Sequence, residues 1–161
     1  MEISPTQATT AERYESAAPP DRILVADDDE GIRDVLASAL RRAAYRVGCA
    51  HDGEAAWEEL SANGYDLLIT DHEMPRLTGL ELLRRVRERK PEVPVILISG
   101  TLPLDEPELL RLIEPGLALE KPFSLKDLLG AVRRVITPSP PPGRRSGRLQ
   151  HPPARPWSPS T

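Results

Sequence analysis

Between residues 22 and 136 the sequence alternates five short apolar runs with five stretches whose apolar residues recur at helical spacing, and this alternation leaves few folds open. Arg22-Ile23-Leu24-Val25-Ala26 reads as the first strand, and Ile32, Val35, Leu36, Ala39, Leu40 and Ala43 follow as one apolar helical face. Tyr45 to Ala50 is a weaker strand. Asp52 and Gly53 then start a helix through Ala55, Ala56, Trp57 and Leu60 that stops at Asn63-Gly64. The central run, Leu67-Leu68-Ile69, lies between Gly64 and Pro75 and ends in Asp71. Its shortness and unbroken apolarity fit a strand covered on both faces. A helix from Gly79 to Arg89 with Leu80, Leu83 and Val86 inward leads to a fourth strand, Pro94 to Ile98, closed by Ser99-Gly100. A short helix from Pro107 to Ile113, a brief strand from Leu117 to Leu119 and a last helix complete the series. In that helix Ser124 and Asp127 form a capping box, and Leu125, Leu128, Leu129, Val132, Val135 and Ile136 make the buried stripe.

Repeated strand-helix units of this size predict an α/β fold: a doubly wound, five-stranded parallel sheet with right-handed crossovers and helices on both faces. The flavodoxin-like order 2-1-3-4-5 is the economical arrangement. In that order the first and third strands are neighbours, which sets Asp27 and Asp28 beside Asp71 at the carboxyl edge, where open α/β sheets bind ligands. Three carboxylates there repel one another unless a cation offsets them, and hard oxygen ligands at an open edge suit Mg2+. Ser99 brings a hydroxyl to the same edge and Lys121 an ammonium. Together these groups predict a phosphate site. Taken singly, each has a plainer reading: Asp27-Asp28-Asp29 and Asp71 as loop acids or caps, Ser99 as a turn residue, Lys121 as a solvated charge. Lys121 precedes Pro122, and either isomer of that bond is open at this point.

The ends differ from the middle. Residues 1–20 lack periodicity, and residues 138–161 hold eight of the 18 prolines, so the sequence predicts a disordered leader, one folded domain over 21–137 and a disordered Pro/Arg-rich tail. The tail carries Arg144, Arg145, Arg148 and Arg155 without an acid, and the leader three Glu against one Arg; the formal charge of −4 therefore leaves −6 on the central domain, which argues against nucleic-acid binding there. No apolar run approaches the roughly 20 residues that span a membrane. With a single cysteine, Cys49, read as a small strand hydrophobe, a cytoplasmic protein is expected. His51 and His151 have no partners at metal-ligand spacing.

From Arg22 to Ile136 the chain resembles the receiver domain of bacterial two-component response regulators. The resemblance rests on Val25-Ala26-Asp27-Asp28-Asp29, Asp71-His72-Glu73-Met74-Pro75 with Gly79, Ile98-Ser99-Gly100 and Lys121-Pro122-Phe123. It implies that Asp71 accepts a phosphoryl group from a phosphohistidine on a sensor histidine kinase or phosphotransfer protein. It also implies that Asp27, Asp28, Asp71 and the backbone carbonyl of Glu73 hold Mg2+, and that Ser99 and Lys121 contact the phosphoryl group. On this reading the protein is a signalling receiver, not a turnover enzyme, that promotes its own phosphotransfer and dephosphorylation. It is expected to be a stand-alone relay acting through protein contacts, or the receiver of a hybrid kinase, with no DNA-binding output. Receivers usually carry an aromatic residue three positions before the lysine; here Ala118 stands there, which predicts a shortened switch relay. His72 and Glu73 are expected as exposed loop residues. Two other readings fit these residues: a Mg2+-dependent phosphatase of the haloacid-dehalogenase type, with Asp27-Asp28-Asp29 as its Asp-x-Asp motif, and a degenerate receiver that binds partners without phosphorylation. The phosphatase pattern expects Thr or Val where Gly31 stands.

Overall fold

The computed structural model describes residues 21–101 and 107–136; the leader and tail predicted at 1–20 and 138–161 lie outside them. Ten elements alternate: β1 (Arg22–Ala26), α1 (Glu30–Arg42), β2 (Arg46–Ala50), α2 (Gly53–Ala62), β3 (Leu67–Asp71), α3 (Gly79–Arg89), β4 (Val95–Ser99), α4 (Pro107–Ile113), β5 (Gly116–Glu120) and α5 (Leu125–Ile136). The strands form one parallel sheet in the order β2-β1-β3-β4-β5, as predicted.

Every residue of β3 and β4 is buried. Because successive side chains of a strand point to opposite faces, each apolar run feeds two cores. Leu24, Leu68, Val95 and Leu97 pack with Ala56 and Leu60 of α2, Leu82, Leu83 and Val86 of α3, and Leu109 of α4. Ile23, Val25, Leu67, Ile69, Ile96 and Ile98 pack with Leu36 and Leu40 of α1 and Leu128 and Val132 of α5.

Local chemistry sets the helix starts. The Asp29 carboxylate accepts from Ile32 N–H at 3.0 Å and Asp52 from Ala55 N–H at 2.8 Å, each satisfying an amide at the start of α1 or α2 that has no partner within the helix. Thr78 with Glu81 and Ser124 with Asp127 form reciprocal capping boxes for α3 and α5. Tyr45 is not in β2: Ala44 takes a left-handed φ of 70° and Tyr45 N–H returns to Leu40 carbonyl, so the residue ends α1.

The apolar stripes are wider than the contacts they make. On α1, Leu36, Ala37 and Leu40 are buried, while Ile32 and Val35 remain 38% and 53% exposed. On α3 it is Leu82 that is buried, with Leu80 only half-buried, and on α5 the predicted stripe residue Leu125 is exposed. Ile32, Val35 and Leu125 instead line a shared groove with Phe123. Cys49 lies on β2 as predicted but is exposed, since β2 is an edge strand. Among the described residues no helix is long and apolar enough to cross a membrane.

Candidate functional site

The register of the sheet brings the acids together. Ala26 of β1 pairs with Thr70 of β3, so Asp27 and Asp71, each one residue further on, stand side by side at the carboxyl edge. Each of Asp27, Asp28 and Asp71 offers a carboxylate oxygen, and these oxygens all lie within 4.8 Å of one another. Asp27 and Asp71 are buried, Asp71 being only 4% exposed, whereas Asp28 is exposed.

Each buried acid is oriented by the backbone beside it. Asp27 Oδ1 accepts from Asp29 N–H at 2.9 Å, and the Arg33 guanidinium donates to the Asp27 carbonyl at 2.8 Å. Asp71 Oδ2 accepts from Glu73 N–H at 3.1 Å. Lys121 Nζ lies 2.8 Å from Asp71 Oδ1, forming an ion pair. Gly79 closes the loop from behind: its N–H donates to His72 carbonyl at 2.9 Å, and a Cβ there would collide with the Asp71 carbonyl.

Charge at the site is unbalanced. Burial pushes the Asp27 carboxyl above the usual carboxylate range; Asp71 and Asp28 add to this, and Asp29 N–H and Lys121 only partly offset it. Burial alone would lower the Lys121 ammonium, but its contact with Asp71 and the fields of Asp27 and Glu73 outweigh that and hold it above its ordinary value. Asp27 Oδ2 is buried without a hydrogen-bond partner. Three clustered carboxylates, one of them with an orphaned oxygen, fit a hard divalent cation that coordinates oxygen and keeps part of its water shell.

Residues 23–133 match the family model of the response regulator receiver domain. The chain belongs to this receiver family. It is 34% identical over 115 residues to the response regulator receiver protein CpdR of Brucella abortus, covering 71% of this chain and 96% of that protein. It is 35% identical over 130 residues to the DNA-binding transcriptional regulator NtrC of Rhizobium meliloti, covering 80% of this chain but 26% of that protein. This receiver therefore spans about a quarter of NtrC and nearly the whole of CpdR. Among solved structures it is similar to TrrA of Thermotoga maritima in complex with Mg(2+)-BeF, with a TM-score of 0.63 and 30% identity over 71% of this chain and 98% of that one. The chemotaxis regulator CheY4 of Vibrio cholerae gives 0.67 and 27%, covering 72% and 98%.

Of the residues singled out in the sequence, the receiver fold brings Asp27, Asp28, Asp71 and Lys121 into one cluster. Ser99 follows Ile98, the register partner of Asp71, so it stands on the neighbouring strand end. It is buried, and its hydroxyl accepts from Thr101 N–H at 3.2 Å. Glu73 is exposed and reaches the cluster through its N–H. His72, expected to be exposed, is half-buried, with Nδ1 buried and unpartnered. The Lys121–Pro122 bond is cis. Ala118 sits on β5 opposite Leu97, half-buried. Asp29, which a phosphatase Asp-x-Asp motif would use as its second acid, is instead occupied in capping α1. Sequence reasoning missed Arg33, because a guanidinium reaching back to the carbonyl six residues earlier leaves no periodic signal. It also missed an ion pair between Asp52 and Arg76 at the same edge, since Arg76 faces Asp52 only through a left-handed backbone turn.

Proposed function

We propose that Asp71 is the phosphoacceptor of this receiver in a two-component phosphorelay. The observation that carries the reading is the ion pair of Lys121 with a buried Asp71 inside a three-carboxylate cluster. One Asp71 oxygen attacks phosphorus in line as the N–P bond of a phosphohistidine breaks; the imidazole leaves and takes up a proton, and an acyl phosphate forms. Glu73 N–H holds the attacking carboxylate in one orientation. The Lys121 ammonium offsets the charge that spreads over the phosphoryl oxygens, and the Ser99 hydroxyl can turn from Thr101 N–H toward one of them. Asp27, Asp28, Asp71 and the carbonyl of Glu73 would hold Mg2+, which supplies charge neutralisation between phosphoryl group and carboxylates. Water later hydrolyses the acyl phosphate, so the receiver promotes both its own phosphorylation and its reset.

The phosphodonor is a sensor histidine kinase or phosphotransfer protein in the cytoplasm, and output passes through protein contacts. Exposed Ile32, Val35 and Leu125 support a protein donor, because they offer an apolar groove shared with Phe123, two residues after Lys121. Intact-mass spectrometry with acetyl phosphate and Mg2+ tests the assignment. The wild type gains one phosphoryl group and Asp71→Asn gains none at this site. Equal labelling of the two overturns it, and labelling lost only in Asp27→Asn favours the phosphatase chemistry instead.

A further inference from the structure

Asp52 is the other buried acid at the carboxyl edge, 1% exposed, and the phosphorelay chemistry does not use it. One of its oxygens caps α2. The other meets the Arg76 guanidinium and lies 3.1 Å from His51 Nε2. Arg76 belongs to the β3–α3 loop, three residues after Glu73, and holds a left-handed φ of 67° that a non-glycine residue adopts only when its surroundings require it. The side chains on either side of this turn, Met74 and Leu77, are buried. Leu77 also presses on Gly53, the first residue of α2, so closely that a Cβ there would collide with the Leu77 backbone.

The β3–α3 loop is therefore fastened to the start of α2 at two points, the packing of Leu77 on Gly53 and the ion pair of Arg76 with Asp52, of which the second is the charged one. Between that anchor and Asp71 lies Glu73, whose N–H orients Asp71 and whose carbonyl is a proposed metal ligand. We infer that the Asp52–Arg76 ion pair is a positioning device for the Mg2+ site: it fixes the loop before the cation arrives, so that Glu73 need not be ordered on binding. This rests on the phosphoacceptor reading of Asp71. Ordering completed during folding is not charged against binding; partners in contact with a metal ligand typically change affinity about 10- to 100-fold, and a pair acting on Glu73 through the intervening backbone belongs at the low end of that range.

Titration calorimetry of the full chain with MgCl2 tests the inference, with Asp27→Asn as the reference for a lost site. Arg76→Gly keeps the left-handed backbone comfortable while removing the charge, and Asp52→Asn keeps the α2 cap while removing the other charge. We expect each to weaken Mg2+ binding by about tenfold, the double variant to be no worse than either single one, and Arg76→Lys to recover most of the loss. In acetyl phosphate labelling the Mg2+ concentration for half-maximal rate should rise while the plateau rate is retained. Wild-type affinity in Arg76→Gly and Asp52→Asn, alongside a clear loss in Asp27→Asn, overturns the clamp and leaves the phosphoacceptor reading standing. So does a loss that tracks only a reduced folded fraction by circular dichroism. If the wild type binds Mg2+ no better than Asp27→Asn, the metal site fails and the clamp fails with it.

Discussion

Asp27 is the residue at which the proposed metal site opposes stability. Its carboxyl lies among Asp71 and Asp28, with one oxygen orphaned, and burial lifts its pKa above the ordinary 3.8. An acid with a raised folded-state pKa binds its proton more readily folded than unfolded. It therefore destabilises the fold above that pKa, and the penalty disappears as pH falls toward the unfolded value. In chelator, Asp27→Asn should be more stable than wild type by about 1 kcal/mol at neutral pH, the difference closing on acidification toward pH 4. Melting curves of the two proteins that stay parallel from pH 4 to 7 would contradict this. Magnesium should stabilise the wild type and leave Asp27→Asn nearly unmoved. Asp52 separates two roles in the same way: Asp52→Ala loses the cap as well as the charge and should be less stable than Asp52→Asn by about 1 kcal/mol, measured by urea unfolding.

At the scale of elements, α4 is held by α3. Arg87 of α3 donates to the carbonyls of Leu112 at 2.6 Å, Val93 at 2.7 Å and Ile113 at 3.1 Å, so one guanidinium satisfies the end of α4 and the turn before β4. Burial lowers its pKa, and Glu92 partly offsets that. One turn earlier, Arg84 meets Glu108 at 3.1 Å. Arg87→Met should cost about 2–3 kcal/mol, because several carbonyls lose a charged donor at once; a loss below 0.5 kcal/mol in denaturant melts would show that water replaces it. With α4 pinned at its C-terminal end, and Ala118 offering no ring to follow Ser99, motion on phosphorylation is expected to stay in the loops. Beryllofluoride should shift the amides around Asp71, Ser99 and Lys121 and leave α4 and α5 nearly unchanged. Shifts along those helices as large as those at the loops would reveal another relay.

At the scale of the whole molecule, two cores on one sheet hold the described residues together, with members running from Ile23 to Ile136. A chain of residues 21–138 should accordingly melt within a few degrees of the full protein, and a larger drop would mean that the leader or tail docks on the domain. The sequence by itself determined the ten elements, the strand order and the edge at which Asp27, Asp28, Asp71, Ser99 and Lys121 lie. The elements follow from local periodicity and caps, which act between near neighbours in the sequence, and the strand order and its edge from the few topologies that right-handed strand-helix crossovers allow. Tertiary structure decided the rest. Which of Ile32, Val35, Leu36, Leu80 and Leu82 is buried depends on where a helix settles on a twisted sheet, and an apolar stripe wider than its contact cannot announce its dry half. The Asp52–Arg76 pair and the reach of Arg87 depend on loops and side chains from separate units meeting in space, where a long flexible cation leaves no spacing to read.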